Sequence, residues 1–340
     1  MAFQLFRFLL RRLVVSLPLV VAVVFVTFML VRIGGGDPVA LLAGPTASAA
    51  EHEAIRASLG LDKSMFEQFG IYVSHALQGD LGQSWLSNKQ VLEEIRNRAW
   101  VTLELLLWGV GIGALVGIPL GARAAARRGS VFDQTVRAVS LAGFSIPTYW
   151  LGLIAILTFF YFLDIAPAPM GRLDAMLIPP ERITGSYFLD ALLRGEWEVA
   201  RSAFTHLVLP VLTIAVVACA PIMKHSRAIA SEIVDSEFIR FARSSGLGEA
   251  RIRRMVLRNS LVPVLTFVGT EIVGLLGTSS LIELIFSWGG IGQWGLQSIL
   301  NGDFAAIQGY VLFAALLSVV VFIVIDAANY LLEPRGRENM

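Results

Sequence analysis

One cysteine and three lysines are all that 340 residues contain of those two types. The lone Cys219 falls inside an apolar run, which excludes a disulfide framework and a cysteine-based metal site. None of Lys63, Lys89 and Lys224 follows a glycine, so the chain has no G-x-x-x-x-G-K-[ST] phosphate loop. The four histidines (52, 75, 206 and 225) are scattered without metal-ligand spacing. H-E-x-x-H and G-x-S-x-G are both missing, which removes the usual metalloprotease and serine-hydrolase readings. Charged residues make up only 16% of the chain and the formal net charge is +1, so no basic field invites nucleic acid. No internal repeat or low-complexity tract is visible, which weighs against a transporter built from inverted repeats.

What the chain has in abundance is apolar length. Hydrophobic residues reach 56% and the mean hydropathy is +0.70, the composition of an integral membrane protein. Between Arg12 and Arg32 no charge occurs, a stretch long enough to cross about 30 Å of hydrocarbon. Further windows run over 105–122, 138–163, 202–223 and 304–325, and a sixth over 264–285 is interrupted by Glu271 and Glu283. The chain is therefore expected to be all-α with six transmembrane helices. The first run is too long for the core of a signal peptide and ends well before the faint cleavage signal at 47–49, so it is expected to stay as a helix.

Lysine and arginine set the expected orientation. With the N-terminus in the cytoplasm, the inner segments (1–12, 123–137, 224–258 and 333–340) hold 17 of the 27 cationic residues, although the outer segments are much longer. Both termini are therefore expected to be cytoplasmic. The parse is an N-terminal segment and first helix over 1–32, an extracytoplasmic region over 33–100, a core over 101–332 with a cytoplasmic loop at 225–262, and a tail over 333–340. In the outer region "EHEAIRASLGL" and "SMFEQFGIYVSHAL" have helical spacing. "SYFLDALLRGEWEVA" predicts an interfacial helix, and "FSWGGIGQWGLQSILNG" an external loop or re-entrant segment.

The densest positive charge lies in "FIRFARSSGLGEARIRRMVLRNSLVP", residues 238–263, with arginines at 240, 243, 251, 253, 254 and 258. Ala242 and Gly246 are four apart, so a continuous helix would stack them on one face, open to close approach by another surface. Gly246 and Gly248 suit a helix end and a reversing chain. Beyond them Arg251, Arg254 and Arg258 share one helical face, with Ile252, Met255 and Val256 on another, while Arg253 fits neither. Pro263 suits the first turn of the next membrane helix. Topology and lipid headgroups account for the charge. The small residues and the glycine turn suggest docking.

"FIRFARSSGL…VLRNSLVPVL" resembles the EAA-type cytoplasmic loop of binding-protein-dependent ABC importer permeases, in the form used by the dipeptide/oligopeptide branch. Arg240, Phe241 and Ala242 stand at the first three motif positions and Gly246 at the last, with arginine replacing the general glutamate. "LLRRLVVSLPLVVAVVFVTFMLVRIGGGDP", "LQGDLGQS", "TLELLLWGVGIGALVGIPLGARAAARRGSVFD", "SIPTYWLG", "HLVLPVLT" and "IELIFSWGGIGQWGLQSILNGDFAAIQGYVLF" follow in the family's order, with Gly289 where proline is common.

The resemblance implies a type I permease fold in a bacterial inner membrane. It implies no catalysis and no cofactor in this chain, with ATP and magnesium held by partner ATPases. The implied partners are a second homologous permease, two ABC ATPases, an extracytoplasmic binding protein and membrane lipid, with no nucleic acid. It further implies that Phe238, Ile239, Arg240, Ala242, Arg243, Gly246 and Leu247 couple to an ATPase. Peptides are the implied cargo, although relatives carry nickel, glutathione or oligosaccharides. The outer loop at 33–100 is expected to help dock the binding protein.

Ionisable groups at membrane depth are functional candidates by default. Glu271 is the deepest, and three readings stand open: lining a pathway, pairing across a permease interface, or bonding to a neighbouring helix. Glu104 and Glu283 are expected near the outer surface and Asp326 near the inner one, all structural, with His206 and Cys219 as packing residues. The competing function is an ion-coupled secondary transporter using Glu271. A membrane enzyme finds no nucleophile–base or metal constellation.

Overall fold

The computed structural model describes residues 2–34, 48–58 and 60–332. The Gly-Asp-Pro segment at 36–38, the first residue of the cleavage signal at 47–49 and the tail at 333–340 lie outside them. The described chain is helical: α1 (Ala2–Gly34), α2 (Ala49–Ser58), α3 (Met65–Leu77), α4 (Val91–Ala126), α5 (Val131–Ser145), α6 (Thr148–Ile156, continuing as a π-helical turn over Leu157–Phe162), α7 (Tyr187–Arg194), α8 (Trp197–Val234), α9 (Glu237–Ser244), α10 (Glu249–Ile285), α11 (Ile291–Leu300) and α12 (Phe304–Leu332).

Among the described residues five helices are long and apolar enough to cross a bilayer, α1 (over Leu9–Ile33), α4, α8, α10 and α12. A sixth span is counted only if the bent pair α5 and α6 is taken as one. The window expected at 138–163 straddles a 94° bend between α5 and α6. Pro147 causes it. Proline disfavours helical backbone in the residue before it, and Ile146 is extended at φ −79°, ψ 124°.

The spine of the bundle is the contact between α4 and α8. Gly109, Gly113, Gly117 and Gly121 recur every fourth residue along α4 and so form one stripe. A β-carbon on Gly113 would stand 2.9 Å from the carbonyl oxygen of Ala215, and one on Gly117 3.0 Å from that of Cys219. Backbone therefore lies on backbone, the packing that small residues permit between membrane helices. The principal apolar core grows around this seam, with Leu105, Leu106 and Val110 of α4 against Ile214, Ala218 and Ile222 of α8 and Val264, Val268 and Ile282 of α10.

The rim is looser. α1 packs on α12, and Arg12 pairs with Asp326 at 3.1 Å. At the other end of α1, Phe25 and Phe28 meet Phe69 of α3 edge-on. Ser64 and Glu67 cap α3 reciprocally. Both helices expected in the outer region are present.

Three expected boundaries move. α4 begins at Val91, so the cut at residue 100 falls inside a helix. The segment read as an interfacial helix ends at Gly195, in the left-handed region at φ 74°, and Trp197 already belongs to α8. Pro263 lies inside α10, which runs unbroken from the basic segment into the membrane. Proline is tolerated within membrane helices, where neighbouring groups satisfy the carbonyl it frees.

Substituting Gly117→Leu should force α4 and α8 apart and lower the melting temperature of the detergent-solubilised protein. Overpacking of this kind costs about 1–3 kcal/mol or more. Gly111→Leu is the control, because a β-carbon there meets nothing within 4 Å. Equal melting temperatures for the two variants would contradict the packing account.

Candidate functional site

The basic segment folds into two elements with different faces. α9 buries Ile239 and Ala242 against its own chain, while Phe238 (44% exposed) and Phe241 (73% exposed) point outward. Arg240 and Arg243 are exposed with them. Ile239 joins Ala125 of α4, Ala230 of α8, and Ile252 and Val256 of α10 in a small apolar cluster. The short helix is thus seated where three spans converge, with its aromatic and cationic side free.

Its end is a Schellman turn. Leu247 N–H donates to Ala242 O (3.1 Å) and Gly246 N–H to Arg243 O (3.0 Å), with Gly246 at φ 81°. Gly248 instead has extended backbone and caps α10. The expected Ala242–Gly246 face does not form, because the helix stops at Ser244 and Ala242 turns into the core. In α10 Ile252 and Val256 are buried, Met255 is half-buried, and Arg251, Arg254 and Arg258 are exposed, as the spacing predicts.

The buried carboxylates Glu104, Asp190 and Glu283 at the opposite end of the bundle are all engaged. Glu283 accepts from Thr102 Oγ1 at 2.5 Å and from the backbone N–H of Gln293 at 2.8 Å. Thr102 in turn accepts from Ile291 N–H at 2.9 Å, so one carboxylate and one hydroxyl pin the start of α11 to α4 and α10. The sequence reading missed this seat. Its signal was the Gly289-Gly290-Ile291-Gly292 run, since a β-carbon on Gly290 would lie 2.5 Å from both Glu283 Oε2 and Thr102 Oγ1. The segment expected as an external loop or re-entrant segment contains a short helix packed on the bundle.

Glu104 accepts from Ser186 Oγ and pairs with Arg172 at 3.4 Å, while Arg172 also donates to Gly185 O (2.9 Å) and stacks over Tyr187. His206 does more than pack. Its Nδ1 lies 2.8 Å from Ser202 O and its Nε2 3.7 Å from Asp174, to which Ser202 Oγ also donates (2.7 Å). Asp190 accepts from the Thr184 N–H and hydroxyl and from Gly185 N–H, bracing the turn before α7. Burial alone would raise this carboxyl, but those hydrogen bonds prevail and hold it below the usual carboxylate range.

Glu271 differs from all of these. It is half-buried and has no hydrogen-bond or ion-pair partner among the described residues, so the third reading, a bond to a neighbouring helix of this chain, is not what the fold contains. Beside it α10 exposes Thr266, Thr270, Gly274, Gly277 and Thr278. Cys219 is half-buried on α8. Among the described residues no group of three His, Cys, Asp or Glu is arranged to hold a metal ion.

Residues 117–338 match the family model described as binding-protein-dependent transport system inner membrane component, and residues 5–106 match its N-terminal counterpart. The chain belongs to this family. It is an inner-membrane permease component, a transport subunit without catalytic chemistry of its own. The permease is 41% identical over 322 residues to the probable D,D-dipeptide transport system permease protein DdpB of Escherichia coli K12, covering 94% of each chain. It is 37% identical over 334 residues to the di/tripeptide transport system permease protein DppB of Pseudomonas aeruginosa, covering 98% of this chain and 99% of the relative. The dipeptide transport system permease protein DppB of E. coli K12 is 34% identical over 337 residues, with the same coverage. The match extends through α9 and the whole of α10.

Two outcomes test these buried carboxylate networks. Glu283→Ala should destabilise by about 1–3 kcal/mol, because it leaves the Thr102 hydroxyl and a buried N–H without their acceptor. Glu283→Gln should recover part of this in detergent melts. Because the Asp190 carboxyl is held low in the fold, its contribution is present above its unfolded pKa of about 4 and is lost as pH falls through the lower folded value. Melting temperature against pH should show a steeper acid fall for the native chain than for Asp190→Asn.

Proposed function

We propose that this permease imports di- or oligopeptides as one of two homologous permease subunits, driven by two cytoplasmic ABC ATPases and fed by an extracytoplasmic binding protein. Peptide cargo is supported by the names of the relatives, which agree along nearly the whole chain. The cation bias favours cytoplasmic termini, which puts α9 on the ATPase side. ATP and magnesium then belong to the partners.

The observation that carries the coupling role is α9 itself. A helix of eight residues exposes two phenylalanines and two arginines to water while Ile239 and Ala242 lock it to three spans. Phe238, Arg240, Phe241 and Arg243 form the contact surface for the ATPase. Ile239, Ala242, Gly246 and Leu247 hold that surface in register with the bundle. A rigid element seated in this way passes a displacement of its partner to α4, α8 and α10 together. Glu271, unpartnered beside a face of threonines and glycines, is assigned to the pathway or the contact with the second permease.

Affinity purification of the tagged chain from its host should recover two P-loop ATPases and a second permease. Phe241→Ala should weaken ATPase retention and peptide uptake roughly tenfold, the loss expected of an interface aromatic anchor. Gly246→Val should act similarly through strain at a left-handed position, while Gly248→Ala should be nearly silent. A chain that purifies alone and takes up solute in liposomes down an ion gradient would sink this reading, and abolition of that uptake by Glu271→Gln would establish the ion-coupled alternative.

A further inference from the structure

A groove of about 630 Å³ opens between the end of α4 and the start of α10, next to α9. At its mouth stand Arg123, Arg127, Arg243, Arg253 and Arg254, against a single carboxylate, Glu249. Glu249 is bonded to Arg243 at 3.2 Å. The other four guanidinium groups have no side-chain partner among the described residues and are exposed. Deeper in the groove the lining turns apolar, with Pro119 and Ala122 from α4 and Val256 and Leu257 from α10.

The order of these residues along the two helices is informative. From Arg127 back to Pro119, α4 runs about two turns toward the membrane interior, and from Glu249 to Leu257 α10 does the same. Every charge in the lining therefore lies toward the water end, interleaved with Ala126, Val234 and Ile252, and the bilayer end is apolar alone. A free phosphate would use only the first half. A water-filled groove would leave the second half exposed without purpose.

We propose that this groove is a specific site for an anionic phospholipid, with the headgroup phosphate held by Arg123, Arg127, Arg253 and Arg254 and the first acyl carbons lying over Ala122 and Leu257. Clustered arginines between membrane helices match a phosphate both in charge and in hydrogen-bond geometry. This goes beyond a general positive surface, because it names one pocket and leaves other cationic residues, such as Arg137 and Lys224, outside it. It does not depend on the assignment of α9 to an ATPase.

The test uses the permease with its co-purifying partners in nanodiscs of phosphatidylcholine carrying a minor fraction of phosphatidylglycerol or cardiolipin, with retained lipid identified by native mass spectrometry. The native complex should retain anionic lipid. The double variant Arg123→Gln, Arg254→Gln should bind it roughly thirtyfold less well, as expected for two lost arginine–phosphate attractions. The corresponding lysine variant should keep most of the binding, which separates charge from misfolding. Arg137→Gln with Lys224→Gln, an equal loss of charge outside the groove, should leave retention unchanged. Ala122→Leu should lower lipid retention by filling the apolar end. An equal loss in the outside control would reduce the effect to a diffuse surface potential and overturn the proposal. So would release of the lipid by inorganic phosphate alone, or failure of the native complex to retain any.

Discussion

The close approach of α4 to α8 is the constraint on which the other contacts rest. Hydrocarbon gives no net reward for burying one apolar side chain against another inside the bilayer, so attraction must come from dispersion and from backbone proximity. The glycine stripe provides both by letting two helices of 36 and 38 residues touch along much of their shared length. α8 then offers its remaining faces to α5, α7 and α10. The small cluster beneath α9 includes Ala125 and Ala230, one from each helix of this pair.

The two ends of the bundle solve different electrostatic problems. At the end opposite α9, Glu104, Glu283 and Asp190 are buried, and each is surrounded by donors that fold a connecting segment back onto the spans. A buried charge is tolerated only when it is paired or hydrogen-bonded, so these carboxylates function as clasps. At the other end most arginines are exposed, and several, among them Arg123, Arg127, Arg253 and Arg254, have no side-chain partner among the described residues. Long cationic side chains at a membrane boundary need no internal partner when water, lipid or another subunit supplies one. Glu271 breaks the first pattern, which is why a role outside the chain's own packing is assigned to it.

α9 carries both tendencies within eight residues. One side is anchored by Ile239 and Ala242, and the other leaves rings and guanidinium groups exposed. The same continuous α10 that begins in this basic segment ends at Glu283, the clasp at the far side of the bundle. A movement imposed on α9 therefore meets a helix that spans the whole protein without a joint.

Much of this was legible in the sequence for local reasons. Apolar run length marked the spans, and the order of motifs pointed to the family. The amphipathic division of α10 and the left-handed turn at Gly246 followed from spacing and from the absence of a β-carbon. What only the tertiary structure decided were the long-range partners. The α4 glycines form a periodic pattern in the sequence, but their meaning needed α8 opposite them. Thr102 and Glu283 are far apart in sequence and acquire their roles only when α11 lies between them. Ala242 was assigned to an open face because local spacing could not show that the residue would turn into the core. Pro263 was placed at a helix start because local preference favours it there, whereas in the fold α10 continues through it. Local chemistry determines which helices form and where they turn, and packing decides which of their faces remain free to act.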